Sequence, residues 1–228
     1  MLHTRRNIAV AMAATLFMAV TAYAGDSADE VAQRIGTGDP VVGKAKSAKC
    51  QACHGKDGNS TAPDTPKIAG QYASYIEKQI RDYQSSTQIG VHSDPKKSGI
   101  ASGEAGHQDL LDIAAYFASQ KQMRGPSQKE LKAPPRDNKI GKQLFLEGNA
   151  DKNVYACINC HGDNGKGNSP ENAMFPVIGG QNKYYLIKQI TAFGTGKRSN
   201  DPASMMCDVA KQLSQAEIEA VADYISGL

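Results

Sequence analysis

Cys50-Gln51-Ala52-Cys53-His54 recurs 107 residues later as Cys157-Ile158-Asn159-Cys160-His161. In each copy two thiols three positions apart can form thioethers with the two vinyl groups of one haem, and the adjacent histidine swings under the iron. The pattern predicts two covalently bound haem c groups, attached through Cys50 and Cys53 and through Cys157 and Cys160. His54 and His161 are then the proximal iron ligands.

Other uses of these residues fit less well. A zinc ribbon separates its Cys-x-x-Cys pairs by roughly 15–20 residues, far less than the spacing here. A thioredoxin-like dithiol has no need of a histidine after both pairs. A disulfide between thiols three apart closes a very small loop and stabilises little.

The positive start Met1 to Asn7 and the apolar run from Ile8 to Tyr23, ending Ala22-Tyr23-Ala24, read as a secretory signal over residues 1–24. Thr4-Arg5-Arg6 also resembles the opening of a twin-arginine signal, but covalent haem is added to an unfolded chain outside the cytoplasm, so ordinary export to the periplasm is expected. The run is short for a membrane span, and no later segment is apolar enough to be one. Of five cysteines, four belong to the two motifs and Cys207 is left over, which argues against a disulfide scaffold. Cleavage removes Arg5 and Arg6 from 26 basic residues and none of the 23 acidic ones, leaving near neutrality and no basic stripe for nucleic acid.

The chain is a duplication. Pro66-Lys67-Ile68-Ala69-Gly70-Gln71 matches Pro176-Val177-Ile178-Gly179-Gly180-Gln181, and Tyr75 to Ile80 matches Tyr185 to Ile190, both at an offset of 110. Gly43-Lys44 pairs with Gly141-Lys142, and Ile113 to Phe117 with Val221 to Ile225. The second copy carries extra residues around Gly148 to Tyr155. The predicted domains are 25–122 and 137–228, joined by residues 123–136, which read as an exposed, proline-containing linker.

Helical periodicity dominates, with little strand alternation. Tyr72, Tyr75, Ile76, Ile80 and Tyr83 recur at three- and four-residue steps, as do Leu110, Ile113, Ala114 and Phe117. Ile187, Ile190 and Phe193, then Ile218, Val221, Ala222 and Ile225, repeat both patterns. Ser214-Gln215-Ala216-Glu217 is a capping box that starts the last helix. Tryptophan is absent and each copy is only about 80–90 residues, so a protein-only core would be marginal and a buried porphyrin supplies the missing apolar bulk.

Cys-x-x-Cys-His, a Pro-x-Ile-x-Gly-Gln loop, a tyrosine-bearing helix, a methionine and a last helix with Ala-x-Tyr together resemble class I cytochrome c. Two such units behind a signal resemble the cytochrome c4 family of periplasmic di-haem electron carriers. The resemblance implies an all-α fold of two tandem class I cytochrome c domains, related by a pseudo-twofold and each wrapped around one haem. It implies that the Pro66 and Pro176 carbonyls accept the ring N–H of His54 and His161. It also places Met206 on the second iron, with Met205 as the alternative register and Met174 a packing residue.

The first copy departs from the family, because no methionine occurs between Gly25 and Gln122. One alignment puts Lys97 where Met206 stands; another, on Tyr116 and Tyr224, puts Ser98 there. Three readings stay open for the first iron. Lys97, or its neighbour Lys96, has the position but must lose a proton, at a cost of about 4–5 kcal/mol at pH 7. His92 needs no such cost but lies upstream. The third is an open or water-bound iron. His107 is placed near a helix cap, and Cys207 is a small buried hydrophobe or a sulfur ligand.

Nitrogen in place of sulfur lowers the potential of the first haem relative to the second. The predicted function is a periplasmic electron carrier, not an enzyme, serving a terminal oxidase, a reductase or a dehydrogenase such as one oxidising sulfur compounds. Loose membrane association is compatible with this. The alternative is a haem enzyme or gas-binding protein with an open iron in the amino-terminal domain.

Overall fold

The computed structural model describes residues 28–85, 106–123, 138–168 and 174–228. The expected signal (1–24), most of the expected linker, and Lys96, Lys97 and His92 lie outside the described residues. The architecture is all-α, as expected.

In the first domain α1 (Ala28–Ile35), α2 (Pro40–Lys46), α3 (Ala48–His54), α4 (Ala73–Gln84) and α5 (His107–Ala118) follow in order. The second has α6 (Lys139–Leu146), α7 (Cys157–His161), α8 (Lys183–Gly194), α9 (Met205–Lys211) and α10 (Gln215–Ser226). Helices α2 to α5 repeat as α6, α7, α8 and α10. The extra residues of the second copy form a short 3-10 turn, Ala150–Lys152, pinched by a bridge between Asn149 and Val154.

Local chemistry starts the helices. The Asp39 carboxylate accepts from Val41 N at 2.7 Å and Val42 N at 3.2 Å, with Pro40 pre-set for the first turn of α2. Asn138 plays the same part for α6, its side-chain oxygen accepting from Gly141 N at 2.8 Å. The expected capping box is present on α10: Ser214 N donates to Glu217 at 2.8 Å, and the Ser214 hydroxyl accepts from Glu217 N.

In each domain the helix that precedes the Cys-x-x-Cys-His helix crosses the last helix at a glycine. A Cβ on Gly43 would lie 1.8 Å from the Asp112 carbonyl oxygen, and one on Gly141 would lie 2.2 Å from that of Ala220. Only a hydrogen fits there, so α2 packs directly on α5 and α6 on α10.

The predicted apolar faces are the cores. Ile76, Ile113, Ala114 and Phe117 are buried together in the first domain; Ile190, Phe193, Ile218, Val221, Ala222 and Ile225 are buried in the second. Each core lies to one side of a cavity and does not fill its domain.

Two expectations are corrected. Met123 does not begin an exposed linker: it is 1% exposed, packed with Tyr72 and Val177, and Gln181 donates to its sulfur at 3.4 Å. Tyr72 is not part of the α4 face that packs in its own domain. It precedes the helix and turns to the second domain, where its hydroxyl reaches Lys166 O at 3.4 Å.

Candidate haem-binding site

The repeated Pro-x-Ile-x-Gly-Gln segment builds the floor of each site. Ile68 N donates to Gly58 O and Ile178 N to Gly165 O, each at 2.8 Å. Gly70 N then donates to Phe117 O at 2.8 Å and Gly180 N to Ile225 O at 2.9 Å, tying each loop to its last helix. Gly70 and Gly180 have φ of +63° and +77°, a conformation L side chains rarely adopt, which is why both copies place glycine before the glutamine.

Those loops position the histidines. His54 and His161 end α3 and α7, both buried, with Nδ1 2.8 Å from Pro66 O and 2.9 Å from Pro176 O. A carbonyl oxygen can only accept, so Nδ1 carries the proton and the lone pair is on Nε2, the nitrogen available to a metal. This is the contact the family resemblance implied. Burial pulls both imidazole pKa values down while the proline carbonyls oppose it, which favours the neutral ligand form.

Both histidines open on one cavity of about 480 Å³, lined by Cys50, Cys157 and Cys160 and walled by Ile68, Ile76, Phe117, Ile178, Leu186 and Phe193. Cys53, in the same helix as Cys50, is exposed. No disulfide joins the described cysteines. Burial pushes the Cys50 thiol up and that of Cys157 up to about 11, so the lining favours neutral sulfur over thiolate. Among the described residues, no cluster of three or more His, Cys, Asp or Glu could hold a bare metal ion. Apolar walls, neutral sulfurs and a committed imidazole on each side fit a porphyrin tethered by thioethers.

Met206 lines the same cavity, half-buried and packed against the second core, with Val209 and Leu213 beside it. Met205 also reaches the cavity without joining that core. Met174 is 42% exposed and also lines the cavity. Cys207 does not line the cavity. Its thiol donates to Asp201 at 3.2 Å and its N–H to the same carboxylate at 2.9 Å, so it fastens the turn before α9 and is not placed as a ligand. His107 begins α5, exposed and against Arg81 and Glu77, well away from the cavity.

The functional residues that sequence reasoning missed lie between the domains. Gln71 Nε2 donates to Val177 O at 2.7 Å and its Oε1 accepts from Val177 N at 3.0 Å. Gln181 does the same to Lys67, at 2.8 Å in both directions. Asn182, in the position equivalent to Tyr72, donates to Ala62 O and Thr65 O at 2.9 and 2.7 Å. Their signal was the duplicated Gly-Gln dipeptide, whose second residue is not needed by the turn.

Comparison with known proteins agrees with this geometry. The cytochrome c family model matches residues 42–121 and again 139–228. Over 199 residues the chain is 41% identical to cytochrome c4 of Azotobacter vinelandii, spanning 84% of this chain and 90% of that protein. The crystal structure of reduced recombinant cytochrome c4 from Pseudomonas stutzeri superposes with a TM-score of 0.73 at 42% identity, covering 84% of this chain and 99% of that one. A Stutzerimonas stutzeri protein named thiosulfate dehydrogenase electron acceptor is 32% identical over 180 residues, 78% of each chain.

Proposed function

This chain belongs to the cytochrome c family as a cytochrome c4-like di-haem electron-transfer protein with two covalently bound haem c groups, and we propose that it is a periplasmic carrier with an inbuilt direction. It takes electrons at the amino-terminal domain from a dehydrogenase-type donor and releases them from the carboxy-terminal domain to a terminal oxidase or reductase. The likeness to a relative named as an acceptor for thiosulfate dehydrogenase supports a sulfur-compound oxidising donor.

The observation that carries this reading is the single cavity onto which His54 and His161 both open. Two redox sites in one apolar space need no docking step between them. When bound, each haem c supplies a one-electron ferric/ferrous couple. The chain attaches it through Cys50 and Cys53 or Cys157 and Cys160, and Pro66 and Pro176 hold His54 and His161 in the tautomer that presents Nε2. The isoleucine, leucine and phenylalanine walls exclude water, which keeps the environment of both sites fixed through each cycle.

Met206, which lines the cavity beside the second core, would supply the thioether sulfur of the second site and so favour its reduced state. In the first site that sulfur is replaced by nitrogen from Lys97 or His92, or the position is open, because the domain has no methionine. No helix among the described residues is long and apolar enough to cross a membrane.

A spectroelectrochemical titration tests the direction. Two separate one-electron waves are expected, the lower belonging to the amino-terminal haem, and low-temperature EPR of Lys97→Ala and His92→Ala identifies which side chain is bound. An amino-terminal potential equal to or above the other would discard the direction.

A further inference from the structure

Arg198 is 7% exposed, follows α8 and lines the cavity. Its Nε donates to Asn200 Oδ1 at 2.9 Å and its Nη1 to Gln189 Oε1 at 2.6 Å. Nη2 donates to Gln79 Oε1 at 2.9 Å and the Tyr75 hydroxyl at 3.2 Å. The guanidinium also stacks on Phe193, 4.4 Å from the ring centre. Every acceptor is neutral. Among the described residues the nearby carboxylate Asp82 is engaged by Lys78 and Asn200, not by Arg198.

Burying a cation without a counter-ion is strongly unfavourable, so such a group persists where an anion completes it. Its neighbours come in pairs: Tyr75 and Tyr185, and Gln79 and Gln189, each 110 residues apart, one from each domain. The cation itself is single, since the residue 110 positions before Arg198 is the uncharged Gln88. One charge thus stands on the pseudo-twofold between two equivalent sites.

We propose that Arg198 is a positioning residue shared by both redox sites: it anchors carboxylate side chains of the bound haems at the domain interface and raises the potential of both irons. Four of its five N–H groups serve these neutral acceptors, which leaves one Nη1 N–H and the whole guanidinium charge to meet a carboxylate. The Tyr75 hydroxyl, which accepts from Nη2, keeps its own O–H to donate to the same anion. A fixed positive charge disfavours the ferric state, which carries one charge more than the ferrous, and the dry surroundings leave that effect little screened. The inference rests on the di-haem carrier reading and adds the residue through which the two sites share one field.

The test is a redox titration of the intact holoprotein as Arg198→Gln, Arg198→Lys and Gln79→Glu. In Arg198→Gln both reduction equilibria are expected to fall at least tenfold, about 59 mV each, and Arg198→Lys, which keeps the charge, to fall by less. Gln79→Glu supplies the missing carboxylate from the protein and also lowers both, and it decides the matter if Arg198→Gln does not retain two haems. Unmoved potentials in a variant that holds both haems, or a fall confined to one haem, overturn the assignment. Wild-type protein without two haems would overturn the carrier reading instead.

Discussion

Gln71 and Gln181 fasten each domain to the backbone of the other by the same pair of hydrogen bonds, Gln71 to Val177 and Gln181 to Lys67, at 2.7 to 3.0 Å. Each amide satisfies both a donor and an acceptor of a loop that also positions a histidine. Domain pairing and site geometry are therefore one structural element.

Gln71→Leu or Gln181→Leu leaves a buried backbone N–H and C=O without partners. Each substitution is expected to cost about 1–3 kcal/mol, read as a lower denaturation midpoint of the holoprotein. The double variant should lose less than the sum, because both clamps close one interface.

Gly43→Ala and Gly141→Ala force a methyl into a carbonyl 1.8 or 2.2 Å away. A destabilisation at or above the usual overpacking range, about 1–3 kcal/mol, is expected. Haem content per purified chain should fall with it, since these crossings shape the cavity.

Met206→Leu keeps the volume at the edge of the second core while removing the thioether. The reduced variant is expected to bind carbon monoxide at the carboxy-terminal haem with a lowered potential there, whereas Met205→Leu leaves both properties unchanged. Absorption spectra with and without carbon monoxide distinguish the two methionines.

Asp112 is buried, and its carboxyl is held down at about 2, chiefly by the Asp39 N–H and then by Lys46 and Gln108. Its folded pKa lies below the unfolded value, so its contribution is complete above about pH 4 and is lost as pH falls through about 2. Glu217, held at about 2 by Lys152 and Ser214, acts over the same window in the second domain. Acid titration of stability should steepen between those limits, and Asp112→Asn should flatten part of the slope.

What could be read from the chain was whatever is fixed locally. Cys-x-x-Cys-His carries its chemistry within five residues, Ser214 and Glu217 cap one turn, and the 110-residue offset is visible without a partner. Met123 and Tyr72 were misplaced because both are buried by the other domain, and a composition-based reading of residue 123 onward sees only the prolines that follow. Arg198 resembled any loop arginine; its meaning depends on Gln79 and Tyr75, about 120 positions earlier. Cys207 could be a ligand in sequence only: it adjoins Met206 in the chain, but its side chain faces the Asp201 turn and not the cavity.

The central claim is that two porphyrins are tethered to this one polypeptide and share its interior. Intact-mass and peptide mass spectrometry of protein isolated from the periplasm tests it most directly. The account predicts two haem additions, one on a peptide containing Cys50 and Cys53 and one on a peptide containing Cys157 and Cys160; a chain with one addition or none would contradict it.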